Sequence, residues 1–427
     1  MSYDRILIDQ GRIIDPANNV DAVAPLYIAG GRVVALGRAP DGFEPDRVID
    51  ARDRLVCPGF VDLCARLRSP DVEDADAEFA EYRAAAAGGV TTMLCPPDGS
   101  LVIDSPAVVR LLREQAQNAG LGKVLPTGAL TRGLNGQDLS EMGALQQAGC
   151  LAVGNGDAPV ANALVWRRAL EYAGFHGLLV IARPEDVSLK GDGCVHEGWV
   201  GSELGLPGIP ACAETVALAQ LLALVEQTGV RVHVNRLSTA RAVDMLALAQ
   251  AQGLPVSADI AIHHAHLTEA AVGNFDANAH AVPPFRTVDD RAGLIKGLSQ
   301  GVICALCSDH HPLALDARQD AFQATLPGLA SLQMLLPLAL RLVEENEVTL
   351  SRAIALLTSG PAGVLGIEAG TLTPGVSADV CVIDSGREWT VNESFWLSCG
   401  RNTPYWNKAF KGLVTHTLIS GRLASEL

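Results

Sequence analysis

The chain has 427 residues, with 32 Lys and Arg against 48 Asp and Glu, a formal net charge of −16 at pH 7. Hydrophobic residues make up 48% and charged residues 19%, enough for a sizeable core and too apolar for wholesale disorder. The acidic balance excludes the clustered Lys and Arg of a nucleic-acid footprint.

The first 55 residues read as short strands. RILIDQGRIID and PLYIAGGRVVALG alternate or run apolar, and Gly30-Gly31 marks a hairpin turn. Eight short apolar runs follow: CPGFVDL, GVTTMLC, KVLPTGAL, CLAVGN, LLVIAR, VRVHVNR, PVSADIAI and GVICALCS. Between them lie helical patterns such as EFAEYRAAAA, SPAVVRLLREQAQNAG, ALVWRRALEYAG, AETVALAQLLALVEQTG and TARAVDMLALAQAQG. Their Ala and Leu recur every three or four residues, and several end at Gly. Eight strand-then-helix units in roughly 310 residues fit an α/β fold, a parallel (β/α)8 barrel whose reactive residues lie at the C-terminal ends of its strands.

After a last helical region, SRAIALLTSGPAGVLG, strand patterns return in ADVCVIDS and KGLVTHTLISG. Neither β-rich end can bury a face alone, so residues 1–56 and 369–427 are expected to form one small β-sandwich domain, with the barrel over 57–368.

No run of about 18 uncharged apolar residues occurs, and MSYDRILIDQGRIID lacks the basic-then-apolar plan of a secretory leader. The expectation is a soluble, cytoplasmic protein with no membrane or nucleic-acid partner. Ten cysteines lie in core-like strings and read as buried thiols. The one C-x-x-C, Cys304 to Cys307, falls in a strand whose alternation sends the two thiols to opposite faces, against a metal or redox role.

PGFVDLCARLRSP, GGVTTM, EYAGFHGLLVIARPED, HEG, RVHVNRLST, PPFRTVDDRAGL and SDHHP occur in this order, and GTLTPGVSADVCVIDSGREWTV continues the series. Together they resemble the dihydroorotase branch of the amidohydrolase superfamily over nearly the whole length. The resemblance implies a metal-containing barrel with a small β-sandwich built from both termini. It also implies hydrolysis or closure of a cyclic amide by zinc-activated water, with an Asp after the eighth strand handling the proton. A ring amide is a poor electrophile, so the metal lowers the water pKa and polarises the carbonyl.

The positions that the resemblance assigns to metal ligands are largely replaced. Cys64 and Arg66 stand where the family has its H-x-H, and Asn155 stands at an Asp position, with Asp157 nearer in a gapped alignment. Arg183 and Arg236 occupy two further His positions, and Leu313 follows where a His is expected. Asp309 keeps the acid of the eighth strand. Guanidinium is cationic at every accessible pH and has no free lone pair, and zinc needs three or four protein ligands. The family zinc is therefore expected to be absent, with no cofactor in its place and Asp309 vestigial.

The substrate clamp implied by the resemblance survives as Arg68, but Asp98 and Val282 replace its two Asn companions. An anionic substrate would meet a like charge at Asp98. Arg66, Arg183 and Arg236 restore positive charge at the mouth, and any of them can pair with Asp309. They read either as salt bridges filling an old cavity or as an anion pocket. His263, His264 and His266 read mainly as scaffold, His233 as a hydrogen-bonded barrel residue, and His310 and His311 as poorly placed to share one ion with Asp309.

The loss of H-x-H resembles the non-catalytic dihydroorotase-like chains on which some bacterial aspartate transcarbamoylases depend for assembly. That resemblance implies a homodimer presenting two identical patches to a transcarbamoylase catalytic chain, in pyrimidine biosynthesis. Two alternatives stay open: a divergent cyclic amidohydrolase with a rebuilt metal site, and a small-anion sensor using the arginine-rich mouth.

Overall fold

A computed structural model describes residues 4–67 and 79–427. All eight expected barrel strands form: Phe60–Asp62, Val90–Cys95, Lys123–Ala129, Ala152–Gly154, Leu179–Ala182, Val232–Val234, Val256–Ala261 and Ala305–Cys307. Each pairs in parallel with its neighbour in chain order. Because a parallel strand is covered on both faces it runs apolar rather than alternating, and every residue of Val90–Cys95 is buried.

The first and eighth strands meet just beyond their ends. His310 N donates to the Cys64 carbonyl at 3.2 Å and Arg66 N to the His310 carbonyl at 2.9 Å. Ser308 N donates to Asp62 Oδ1 at 2.9 Å. This seam closes the barrel and sets Cys64 and Arg66 beside Asp309.

The first strand is shorter than its sequence suggests. Cys57 and Pro58 belong instead to a strand of another sheet, Leu55–Pro58. The break falls at Gly59, where a Cβ would collide with the Thr91 side chain.

The helices between strands carry the expected end signals. Pro106–Ala119 follows Ser105 and stops at Gly120 in the left-handed region. Asn162 caps Ala163–Phe175, and Thr239 caps Ala240–Ala251. Several helices lie outside the helical patterns singled out in the sequence, among them Leu335–Glu344, Met142–Ala148 and Val288–Gln300. Val288–Gln300 had a legible start, because Thr287 and Asp290 form a capping box.

Beside the barrel lie two further sheets. Arg32–Leu36, Leu26–Ala29, Ile6–Asp9 and Arg47–Asp50 form one of four strands. The other has six strands: Arg422–Glu426, Ala409–Ile419, Val380–Thr390, Leu55–Pro58, Arg12–Asp15 and Val20–Val23. Here the two ends of the chain interleave, with Cys381 opposite Cys57 and Val382 opposite Val56. The core of these sheets joins Ile6, Ile8 and Ile28 to Val380, Val382 and Leu418.

Among the described residues no helix is long and apolar enough to cross a membrane. All ten cysteines are free, but they are not all buried: Cys212 is exposed, and Cys304 and Cys399 are half-buried. Cys212 opens the helix Cys212–Thr228 and points outward, while Ala213 and Glu214 beside it in the first turn are buried. A thiol reagent under native conditions should modify Cys212 first and rapidly. Rapid labelling of several thiols would contradict the buried placement of the others.

Candidate functional site

Barrel enzymes build their sites from residues just past the C-terminal ends of the strands. In this chain Arg66 follows the first strand, Asp98 the second, Asp157 the fourth, Arg183 the fifth, Arg236 the sixth and Asp309 the eighth. All six converge on one cluster.

Asp157 is its centre. Its Oδ2 accepts from Arg66 Nη2 at 2.8 Å, and its Oδ1 accepts from Arg236 Nη2 at 2.6 Å. Arg183 Nε lies 2.9 Å from Oδ1 as an ion pair, and Arg183 Nη2 donates to the Asp157 carbonyl at 3.2 Å. Arg66 Nη2 also donates to Asp98 Oδ2 at 2.8 Å, an oxygen that takes the Asp157 amide at 2.7 Å as well. Gly156 permits this approach. Its φ is +57°, and a Cβ there would strike the Asp98 carboxylate.

Arg236 bridges inward. Its Nη1 donates to Asp309 Oδ1 at 2.8 Å and to the Val282 carbonyl at 3.3 Å, and its Nε donates to Asn235 Oδ1 at 2.7 Å. Both Arg236 (φ +57°) and Asp309 (φ +48°) adopt left-handed backbone, which costs roughly 1–2 kcal/mol for a residue with a Cβ. The Arg236 amide is held in that conformation by Asp259 Oδ1 at 2.6 Å.

Electrostatics follow from burial and pairing. Burial opposes ionisation of Asp157, but Arg236, Arg66 and Arg183 outweigh it and hold the carboxyl well below its usual range. At Asp309 burial wins: the carboxyl is raised despite Arg236 and Arg66. Burial also opposes the charge on Arg66, yet Asp98 and Asp157 keep it more firmly protonated than usual. His263, past the seventh strand, is pushed down to about 3 by burial and Arg236. Neither of its ring nitrogens has a hydrogen-bond partner, and Nε2 stands 3.9 Å from Asp309 Oδ2.

The sequence-derived site residues divide accordingly. Arg66 and Arg236 reach Asp309, Arg66 at 3.6 Å. Arg183 does not: it turns to Asp157 and to Glu185, which Lys190 also contacts at 3.1 Å. Asn155 supports the loop rather than facing the centre, accepting from Thr131 Oγ1 at 2.8 Å and donating to the Ala158 carbonyl. Cys64 contacts Asp309 Oδ1 through its thiol at 3.4 Å. Val282 contributes only its carbonyl, Leu313 is buried, and Arg68 lies outside the described residues.

Other histidines point into structural networks. His233 bonds Ser257 and Asp259, and His264 and His266 bond the carbonyls of Pro283 and Leu338. His310 faces Glu81 at 2.6 Å, away from Asp309. Sequence reasoning kept Asp157 only as a gapped option and passed over Glu185 and Lys190. The available signal was an acid in a Gly-flanked loop directly after a barrel strand.

A cavity of about 260 Å3 remains at the mouth. Its charged lining balances, with Arg66, Lys190 and Arg236 against Asp98, Asp157 and Asp309. The surplus of positive charge that an anion pocket needs is not present there.

The zinc centre implied by the resemblance does not fit these residues. Among the described residues no group of three or more His, Cys, Asp and Glu side chains is placed to hold a metal ion. Three guanidinium groups surround the carboxylates instead, and each repels a divalent cation.

The Amidohydrolase family model matches residues 55–424. A dihydroorotase-like protein of Pseudomonas aeruginosa is 43% identical over 421 residues, 99% of either chain. A dihydroorotase of Syntrophotalea carbinolica is 41% identical over 423 residues, again 99% of each. The fold is shared with an L-hydantoinase (dihydropyrimidinase) from Arthrobacter aurescens, at a TM-score of 0.85 and 21% identity, covering 99% of this chain and 96% of that one. Full-length similarity at this identity, on a barrel of this topology, makes the chain a member of the amidohydrolase family, within its dihydroorotase-like group.

Proposed function

We propose that this chain is a non-catalytic dihydroorotase-like protein that serves as an assembly subunit of an aspartate transcarbamoylase, acting as a cytoplasmic homodimer without a metal cofactor. The observation that carries the non-catalytic half is the pairing of Arg66, Arg183 and Arg236 with Asp157, Asp98 and Asp309. Opening or closing a cyclic amide needs water made nucleophilic and a polarised carbonyl. Here Asp309, the residue at the proton-handling position, is already bonded to Arg236. The aspartate at residue 98 would meet an incoming substrate carboxylate as a like charge.

The assembly half rests on the resemblance to non-catalytic dihydroorotase-like chains and on a full-length barrel in which the site residues are spent on one another. A symmetric dimer would offer two identical patches to a partner chain.

The test has two arms. The chain, purified with zinc supplied, is assayed for interconversion of dihydroorotate and carbamoyl aspartate; no turnover above background is expected. Co-expressed with the transcarbamoylase catalytic chain of its own organism, it is expected to elute as one mixed complex by light scattering. Zinc-dependent turnover would sink the first half. Separate elution of the two chains would sink the second.

A further inference from the structure

The departure from a metal centre has a pattern of its own. Six of the eight barrel strands send one charged side chain each into the same cluster. Arg66, Arg183 and Arg236 expose only 3%, 5% and 2% of their side chains. With Glu185 and Lys190 attached through Arg183, the cluster holds four cations and four anions. One carboxylate, Asp157, is shared by guanidinium groups from the first, fifth and sixth strands. A bound metal has the same connectivity with the signs reversed: one central charge, clasped by groups from separate strands.

We infer that Asp157 is the keystone of an internal ion-pair cluster that holds the barrel mouth together as a metal would, so that the fold stands without a divalent cation. Two features suit that task. Gly156 lets the Asp157 amide and carboxylate both enter the network, the amide to Asp98 and the carboxylate to the arginines. The cluster is also neutral as a whole, so it needs no ligand to complete it.

Removing the keystone would leave buried guanidinium groups short of counter-charge. A buried ion stripped of its partner is strongly destabilising, and three adjacent guanidinium groups form an anion site. The inference is independent of the transcarbamoylase partner and shares with the functional reading only the misfit of zinc.

Thermal melts of the full chain and of Asp157→Asn test it. The wild-type Tm should be the same within about 1 °C after chelation or with added zinc. Asp157→Asn should melt roughly 3–6 °C lower. Inorganic phosphate should raise the Tm of the variant well beyond an equal ionic strength of chloride, and leave the wild type indifferent. Should Asp157→Asn fail to fold, Arg183→Gln at the rim should lower Tm more modestly, with Asp157→Glu keeping most of the wild-type value.

A variant that melts like wild type and ignores phosphate overturns the keystone role alone. Loss of wild-type stability on chelation overturns it together with the non-catalytic reading.

Discussion

Replacing Arg236 by methionine should lower the unfolding free energy by about 3–5 kcal/mol, the range for removing one partner of a buried ion pair. The guanidinium is 2% exposed and donates to Asp157, Asp309, Asn235 and the Val282 carbonyl. Methionine keeps much of the stem volume, so the loss reports the charge and its hydrogen bonds more than a cavity. Two carboxylates from different strands then lose their shared counter-charge, Asp309 in a nearly buried position and Asp157 at the edge of the mouth cavity. The intact cluster need not be more stabilising than a well-packed apolar core; the expectation concerns one partner removed.

Arg132 gives the contrast. It pairs with Glu141 at 2.7 Å, but both side chains are more than half exposed, and such pairs contribute about 0–1 kcal/mol. Urea melts of Arg236→Met and Arg132→Ala therefore form a matched pair; guanidinium chloride would itself screen the charges. A loss below about 1 kcal/mol for Arg236→Met would mean that water reaches the cluster and that it does little to hold the mouth.

Stability should also fall on mild acidification, in a window set by histidines. Burial pushes His263, His264 and His311 down to about 3, and His266 and His280 to about 4. Their unfolded value is about 6.5. A depressed folded pKa means that the unfolded chain binds the proton first. The contribution is thus fully present above about pH 6.5 and lost as the pH falls toward the folded values.

Asp62 acts in the opposite sense. Burial raises it to about 6, so between about 6 and its unfolded value the folded state binds the extra proton and gains. That offsets about one histidine. Asp157, held well below its usual range, begins to lose its contribution only near and below about pH 4. Between about pH 7 and pH 5.5 each fully buried neutral histidine accounts for roughly 1 kcal/mol. The three buried rings, His263, His264 and His280, less the Asp62 offset, imply a net loss of roughly 2 kcal/mol. Urea midpoints at the two pH values check this, and a flat profile would place those rings in contact with solvent.

The eight barrel strands were legible because the information is local. A strand covered on both faces needs an unbroken apolar run, and a helix covering it needs apolar residues at three- and four-residue spacing. Arg66, Arg183, Arg236 and Asp309 were legible as mouth residues through the family resemblance, which assigns each to a position at or just past the end of one of those strands. What the chain's periodicity does not carry is who pairs with whom. Asp157 shares its carboxylate with Arg66, 91 positions away, and Arg236, 79 positions away.

Those partnerships depend on the path of a loop and on burial. The positive φ of Gly156 swings Asp157 against Asp98, and Arg183 is drawn to Glu185 and Asp157 rather than to Asp309. The exposed thiol of Cys212 and the strand break at Gly59 were settled in the same way, by which surfaces meet. The sequence by itself determined the barrel, because periodicity is a property of neighbouring residues, and through the family resemblance it named the residues at the mouth. Only the tertiary structure decided that these residues neutralise one another, because a charge chooses its partner by distance and desolvation, and both are set by the packing of segments far apart in the chain.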